Sequence, residues 1–268
     1  MLTSTLPPRS HAPKPAPASA PAAAWRKLLP REHGSWALAF EPVALGLLAA
    51  YSVAGLALSL AVAAAFLARR PWQLTDERPE ARTALAVLLL FGACSLLIAL
   101  RLAGIEIALP LLAALPAGLV FIWYDSQHAA RDAVPEIAGA FAFACVPAAL
   151  ALCAGLPADR AWTLTALMLA RAVPTVCVVR AYVRCRKGRA GRGARVIGLA
   201  TSFAALIAII ALFRLGLCGI AAPIFIALLA ARAVWLLGPW SPDFSAKRIG
   251  LIECALGVAG VLALGATF

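Results

Sequence analysis

The chemistry of this chain centres on two ionisable residues that lie inside long apolar segments. Glu41 lies about two helical turns into the first segment, and Arg171 lies near the middle of the segment 160–182. A charge in hydrocarbon is costly, and arginine keeps its charge at any ordinary pH, so Arg171 requires an anion close by. The sequence predicts two solutions: an ion pair with Glu41, or a site where Arg171 binds an anionic or carbonyl group of a ligand.

Further polar residues accompany these two inside the apolar segments. At helical spacing, Thr175 and Tyr182 share one face with Arg171, and Tyr182 joins the ligand-binding candidates. Glu253, near the start of the last apolar segment, is another acid that needs a partner. We expect it to be the second candidate for pairing with Arg171. A proton relay through Glu41 and Glu253 is an alternative role.

The remaining ligand-binding candidates flank the apolar segments. They are Arg31, Glu32, His33 and Trp36 at the first segment, Arg69 and Arg70 after the second, and Tyr124, Asp125, Arg131 and Glu136 between the fourth and fifth. Two alternatives are simpler: Trp36 as an interfacial anchor, and Asp125 with Arg131 as a bridge across their loop.

A metal site is the next question, because Asp132 and Glu136 are four residues apart and could together hold Mg²⁺. Acids near a helix N-terminus also complement the helix dipole, and Pro135 suits a first turn. We favour this second interpretation and predict neither a metal nor a cofactor. The chain has no nucleophile elbow, P-loop, dinucleotide fingerprint or paired-histidine motif, so its catalytic class stays open.

The distribution of charge shows which class of protein positions these residues. The chain has 268 residues, of which 63% are hydrophobic and 13% charged, and its charges fall in short islands between long apolar runs. This pattern is typical of membrane proteins. The net charge of +12 does not indicate nucleic acid, because the basic residues follow the positive-inside rule. The seven cysteines are scattered without a CxxC pair and are best explained as packing residues.

The apolar runs predict an all-α, polytopic membrane helical bundle with nine transmembrane helices. The spans are roughly 34–50, 53–68, 84–101, 105–123, 134–154, 160–182, 196–213, 216–236 and 248–266. Residues 1–24 are rich in Pro, Ala and Ser and predict a disordered tail. Residues 25–268 then form a single transmembrane domain.

Orientation follows from the basic residues. With the N-terminus inside, the inner segments contain nearly all of them, including the cluster 184–195 and the segment 232–248, to which we assign Arg232. The outer ends hold only Arg101, Arg160 and Arg214. We expect a multi-pass protein of the bacterial inner membrane with a cytoplasmic N-terminus and a periplasmic C-terminus.

The stretch 30–36, PREHGSW, followed by Glu41 and Pro42, resembles the start of the YwiC-like family of bacterial membrane proteins, which has no established activity. The resemblance extends over most of residues 30–268. There is a more distant likeness to the UbiA prenyltransferase superfamily, which implies nine helices with the N-terminus inside. Tyr124, Arg131 and Gly139 resemble the spacing of its fourth inner loop.

The same resemblance argues against metal-dependent prenyl transfer. UbiA enzymes hold Mg²⁺ and a diphosphate with two aspartate-rich loops, after helices 2 and 6. Here the first of these loops has only Asp76, Glu77 and Glu80, and the second, 184–195, has no carboxylate. Arginines repel Mg²⁺, which takes oxygen ligands.

Three functions remain. The first is a protein with a cytoplasm-facing cavity that binds or moves a small anionic or isoprenoid- or quinone-like lipid. The second is a UbiA-type prenyltransferase, and the third is a membrane scaffold that holds anionic lipid or a partner protein. Expected partners are membrane lipids and no nucleic acid; the sequence identifies no protein partner.

Overall fold

The computed structural model describes residues 28–29, 33–127, 132–188 and 192–268, and the regular structure of these residues is helical throughout. The helices are α1 His33–Ala49, α2 Val53–Gln73, α3 Pro79–Ala103, α4 Ala108–Ser126, α5 Ala133–Ala144, α6 Val146–Cys153, α7 Ala158–Arg186, α8 Arg192–Arg214, α9 Ala221–Leu237 and α10 Ala246–Gly265, with a 3₁₀ turn Ile105–Ile107 before α4. The predicted tail 1–24 lies outside the described residues.

The all-α membrane fold predicted from the sequence is confirmed. Seven segments are long and apolar enough to cross a membrane, and α1 and α9 supply two shorter apolar helices. Helices α5 and α6 together form one of the seven, Ala133–Cys153, which is divided at Cys145. Pro147 follows directly and lacks the N–H that an uninterrupted helix would use. Each of the nine predicted spans therefore corresponds to one apolar helical segment.

The helices extend beyond the predicted spans where these meet charged residues. Helix α2 continues to Gln73 rather than 68, and α7 continues to Arg186 rather than 182. Arginine and glutamine are good helix formers, so the helix does not stop where the hydrophobicity does. Helix α3 begins at Pro79, whose fixed φ suits a first helical position.

The centre of the bundle is formed by the segment α5–α6 and by α7. Within Ala133–Cys153, 61% of an apolar stretch of 18 residues is buried inside the protein, against 11% of the corresponding stretch of Ile105–Ser126, which includes α4. Small residues allow the close approach: a Cβ on Gly46 of α1 would lie 2.6 Å from the side chain of Leu150 in α6. Helices α3, α4 and α8 form the periphery.

The ends of the helices that carry most of the basic residues meet on one side of the bundle. An ion pair joins Arg69 of α2 to Asp125 of α4, and another joins Arg186 of α7 to Asp243 of the α9–α10 loop. We call this side, formed by the described residues around 69–79, 124–127, 132–133, 180–188 and 237–248, the basic end. It corresponds to the inner segments predicted from the sequence.

Candidate functional site

Four ionisable side chains from four helices meet inside the bundle, and we call them the buried charge network. They are Glu41 of α1, Arg171 of α7, Arg232 of α9 and Glu253 of α10. The two arginine side chains are 7% and 8% exposed, and the glutamates 14% and 13%. With both acids ionised the network is formally neutral, which is the condition for keeping two guanidinium groups in an apolar bundle.

Arg171 is held from several directions. Its Nη1 donates to Oγ1 of Thr175, one helical turn further along α7, at 2.8 Å. Its Nη2 donates to the backbone carbonyl of Glu253 at 3.0 Å and contacts Oε1 of Glu41 at the longer distance of 3.4 Å. The predicted pair of Arg171 with Glu41 is therefore present, and Glu253 is a second acid nearby, with 3.8 Å between Nη1 and Oε2.

Arg232 is a member of the site that the sequence analysis missed. It was assigned to an inner segment, but it lies inside α9, five positions before Leu237, and pairs with Oε1 of Glu253. Helices α9 and α10 are joined by a short loop, which brings Arg232 and Glu253 opposite each other. A signal was available in the sequence, because the apolar residues 233–237 continue the span beyond Arg232.

The network leaves several polar atoms without hydrogen-bond partners. Among the described residues, the Nε atoms of Arg171 and Arg232 and Oε2 of Glu253 are buried and unpaired. Buried polar groups in proteins are nearly always hydrogen-bonded, and exceptions commonly mark sites of function or of bound water. The network therefore has hydrogen-bonding capacity that these side chains do not use.

A narrow recess lies against Glu41 and Arg171 and has room for about one water molecule. Apart from these two residues it is lined by apolar side chains and glycines, namely Leu45, Met168, Phe225, Gly257, Gly260, Val261 and Leu264. These residues lie further from the basic end than the charged residues on their helices. Gly257 makes room for the ion pair, because a Cβ there would overlap the Glu41 carboxylate and lie 3.0 Å from Nη2 of Arg171.

A second charged cluster lies at the basic end, and we call it the Arg69 clamp. Nε and Nη2 of Arg69 donate to the two carboxylate oxygens of Asp125 at 2.7 and 2.6 Å. Gln73 donates to Oδ2 of Asp125 at 2.8 Å and accepts from Nη1 of Arg70 at 2.9 Å. The guanidinium of Arg69 also lies 4.9 Å from the ring centre of Phe121. The predicted candidates Arg69, Arg70 and Asp125 thus come together, and the predicted bridge from Asp125 to Arg131 lies outside the described residues.

The other candidates lie apart from the network. Glu136 pairs with Arg180 at 2.7 Å, and Tyr124 is half-buried on α4. The hydroxyl of Tyr182 donates to the carbonyl of Pro242 at 2.5 Å and accepts from the N–H of Phe244 at 2.9 Å. Its hydrogen bonds therefore attach α7 to the α9–α10 loop.

Trp36 stacks on Phe40 at 5.6 Å and meets Phe66 edge-on at 5.2 Å, so it packs between helices at the start of α1. Three candidates, Arg31, Glu32 and Arg131, lie outside the described residues, as does the side chain of His33. No group of three or more metal-ligating side chains is found among the residues that are described.

The comparisons with known proteins agree with part of the sequence analysis. The family model described as YwiC-like protein matches residues 29–151, which confirms the resemblance over that range, from the approach to α1 into α6. No curated protein matches the chain. No solved structure matches it either, so the UbiA-like architecture stays a prediction. The matched range contains Glu41 and the Arg69 clamp, whereas Arg171, Arg232 and Glu253 lie beyond it.

Proposed function

We propose that this multi-pass membrane protein binds or moves a small anionic molecule or a lipid with a head group of isoprenoid or quinone type. The head group is taken by Arg171 within the bundle. One observation carries the proposal: Arg171 is fixed by Thr175 and by the carbonyl of Glu253, yet its Nε is buried without a partner. A fixed guanidinium with an unused donor is preorganised for an oxygen ligand.

The surroundings of Arg171 support an amphipathic ligand. The recess beside it is apolar except for Glu41 and Arg171 themselves. Polar groups that fix orientation within an otherwise apolar lining are typical of small-molecule sites. In a membrane protein, an arginine within a spanning helix is by default a candidate for a ligand or ion pathway.

The proposal includes the orientation of the protein in the membrane. We infer that the basic end faces the cytoplasm of a bacterial inner membrane, with the N-terminus inside and the C-terminus in the periplasm. The recess then lies on the periplasmic side of the network, and the cytoplasm-facing cavity predicted from the sequence requires a second conformation. Reporter fusions after residues 75, 128, 190 and 243 should be cytoplasmic, and those after 103, 157 and 268 periplasmic. A cytoplasmic C-terminus would overturn this orientation.

Native mass spectrometry of the protein in mild detergent tests the binding function. We expect the wild type to retain an anionic or quinone-like small molecule and the variant R171Q to lose it. The variant E106Q, which removes an exposed acid before α4, is the matched control and should retain it. Equal retention by R171Q and wild type would overturn the assignment to Arg171.

A second candidate, a scaffold that holds anionic lipid, is favoured by a separate observation. Exposed cations cluster where α7 ends and α8 begins: Arg184, Arg186, Lys187, Arg192 and Arg195. Such clusters attract anionic lipid head groups by about 1 kcal/mol for each residue. Replacement of these five by glutamine would remove the co-purified lipid if the scaffold function is correct, and would leave it in place if Arg171 holds the ligand.

A further inference from the structure

The two acids of the buried charge network are bound to different extents. Glu253 pairs through Oε1 with Arg232 and lies 3.8 Å from Arg171 through Oε2. Glu41 reaches the network through one long contact, 3.4 Å to Nη2 of Arg171. Because the strength of a charged hydrogen bond falls steeply with distance, the Glu41 carboxylate is the acid most easily displaced from its arginine.

Arg171 does not depend on Glu41 for its position. Its hydrogen bonds to Thr175 and to the carbonyl of Glu253, at 2.8 and 3.0 Å, come from α7 and α10 and are independent of α1. If Glu41 becomes neutral, the guanidinium stays in place and the network carries one positive charge. An incoming monoanion restores neutrality, and the recess beside the guanidinium is lined by apolar residues apart from Glu41 and Arg171.

We propose that Glu41 competes with the ligand for Arg171, so that the protein takes up one proton at the Glu41 carboxylate for each monoanion with an apolar tail that it binds. The inference rests on the function proposed above and adds its regulation. The proton comes from the solvent and forms the O–H bond of Glu41, while the anion takes the position of the carboxylate at Nη2 and gains the unused Nε. No net charge enters the bundle, which removes the main electrostatic cost of burying an anion.

The charged groups that face Glu41 are consistent with this competition. Arg171 from α7 and Glu253 from α10 both act on its carboxyl group electrostatically. The titratable groups of the other helices packed against α1 are engaged elsewhere or are thiols: Arg69 with Asp125, Arg70 with Gln73, Glu136 with Arg180, and Cys145 and Cys153. The side chain of Glu41 is 14% exposed, so the bundle does not enclose it completely.

Calorimetry on the protein in nanodiscs of neutral lipid tests the inference, with octanoate as the probe and octan-1-ol as its uncharged counterpart. Titrations in two buffers of different ionisation enthalpy, with empty nanodiscs subtracted, give the number of protons taken up per octanoate. We expect about one proton for the wild type, and a dissociation constant that rises about tenfold for each pH unit above the range where Glu41 is protonated.

Two variants complete the design. E41Q resembles the protonated acid, so it should bind octanoate with no proton uptake and with an affinity that does not change with pH. E106Q, which removes an exposed acid outside the network, should behave as the wild type does. A thermal unfolding transition for each variant confirms that the protein is folded.

The possible outcomes separate the inference from the proposed function. Octanoate binding by the wild type without proton uptake would overturn the competition and leave the anion site in place. Proton uptake that persists in E41Q would assign the proton to another group and overturn the inference as well. Failure of both wild type and E41Q to bind octanoate, or equal binding of octan-1-ol, would overturn the anion site and the competition together.

Discussion

Two arginines that pair with acids of other helices, Arg69 and Arg171, are held in different ways. Arg69 binds Asp125 with two short hydrogen bonds, and Gln73 adds a third to the same carboxylate. Arg171 binds Glu41 at a longer distance and keeps an unpaired Nε. Since bidentate geometry with satisfied oxygens is what makes an ion pair stabilising, the first arrangement joins α2 to α4, whereas the second leaves one donor of Arg171 without a hydrogen bond.

The largest expected effect comes from removing the central cation of the network. R171M leaves Glu41 without a cation and Glu253 with Arg232 alone. Breaking a buried ion pair by removing one partner costs about 3–5 kcal/mol, and we expect that loss in the free energy of unfolding, measured by SDS titration in mixed micelles. The double variant E41L/R171M should recover much of it, because the unpaired carboxylate is then gone. Additive losses would mean that the two residues do not interact in the membrane.

The second largest effect is expected for a change in the Arg69 clamp. D125N replaces a carboxylate that accepts from Arg69 and Gln73 with an amide, which cannot pair with Arg69 in the bidentate form. Hydrogen bonds to charged groups contribute about 1.5–3 kcal/mol, so we expect a loss of that size in the free energy of unfolding. Binding of octanoate should remain as in the wild type. A variant as stable as the wild type would show that the Arg69 clamp does not stabilise the contact between α2 and α4.

The membrane segments were predictable from sequence, whereas most partners of the charges were not. Runs of about 20 apolar residues define spans whatever their packing, so each of the nine predicted spans coincides with a helical segment, seven of which are long and apolar enough to cross a membrane. The requirement of Arg171 for a nearby anion was also predictable from the residue and its segment alone, because an unpaired guanidinium in hydrocarbon is costly. The pairing of Arg69 with Asp125 depends on how the whole bundle brings the ends of α2 and α4 together, across more than fifty residues of chain, and no local pattern encodes it. Arg232 was misassigned because it was counted with the inner segment 232–248, although the predicted span 216–236 already contained it.

A smaller effect concerns the space that the network occupies. In G257A the new methyl group overlaps the Glu41 carboxylate and forces it away from Arg171. Overpacking of this kind costs about 1–3 kcal/mol, and we expect the lower half of that range because the end of a flexible side chain yields. G250A on the same helix is the matched control, since its methyl group would meet nothing within 4 Å. The control should be neutral or slightly stabilising, as alanine is the better helix former. Equal effects of the two changes would mean that Glu41 does not lie against Gly257.

The smallest effect is expected for E41Q. This variant allows the most direct comparison of the two ion pairs, because E41Q and D125N are the same change of carboxylate to amide. The Glu41 contact is long, and glutamine still presents an oxygen to Nη2 of Arg171. Arg171 also keeps Thr175, the carbonyl of Glu253 and the nearby Glu253 carboxylate. We therefore expect E41Q to lower the free energy of unfolding by less than about 1 kcal/mol, since a weak contact to a retained acceptor contributes little. The same SDS titration that measures D125N provides the value. If E41Q lowered the free energy of unfolding as much as D125N does, Glu41 would stabilise the fold as strongly as Asp125. Displacement of Glu41 by an anion would then destabilise the protein. A small cost shows that the network tolerates a neutral Glu41, which is the state that the proposed anion requires.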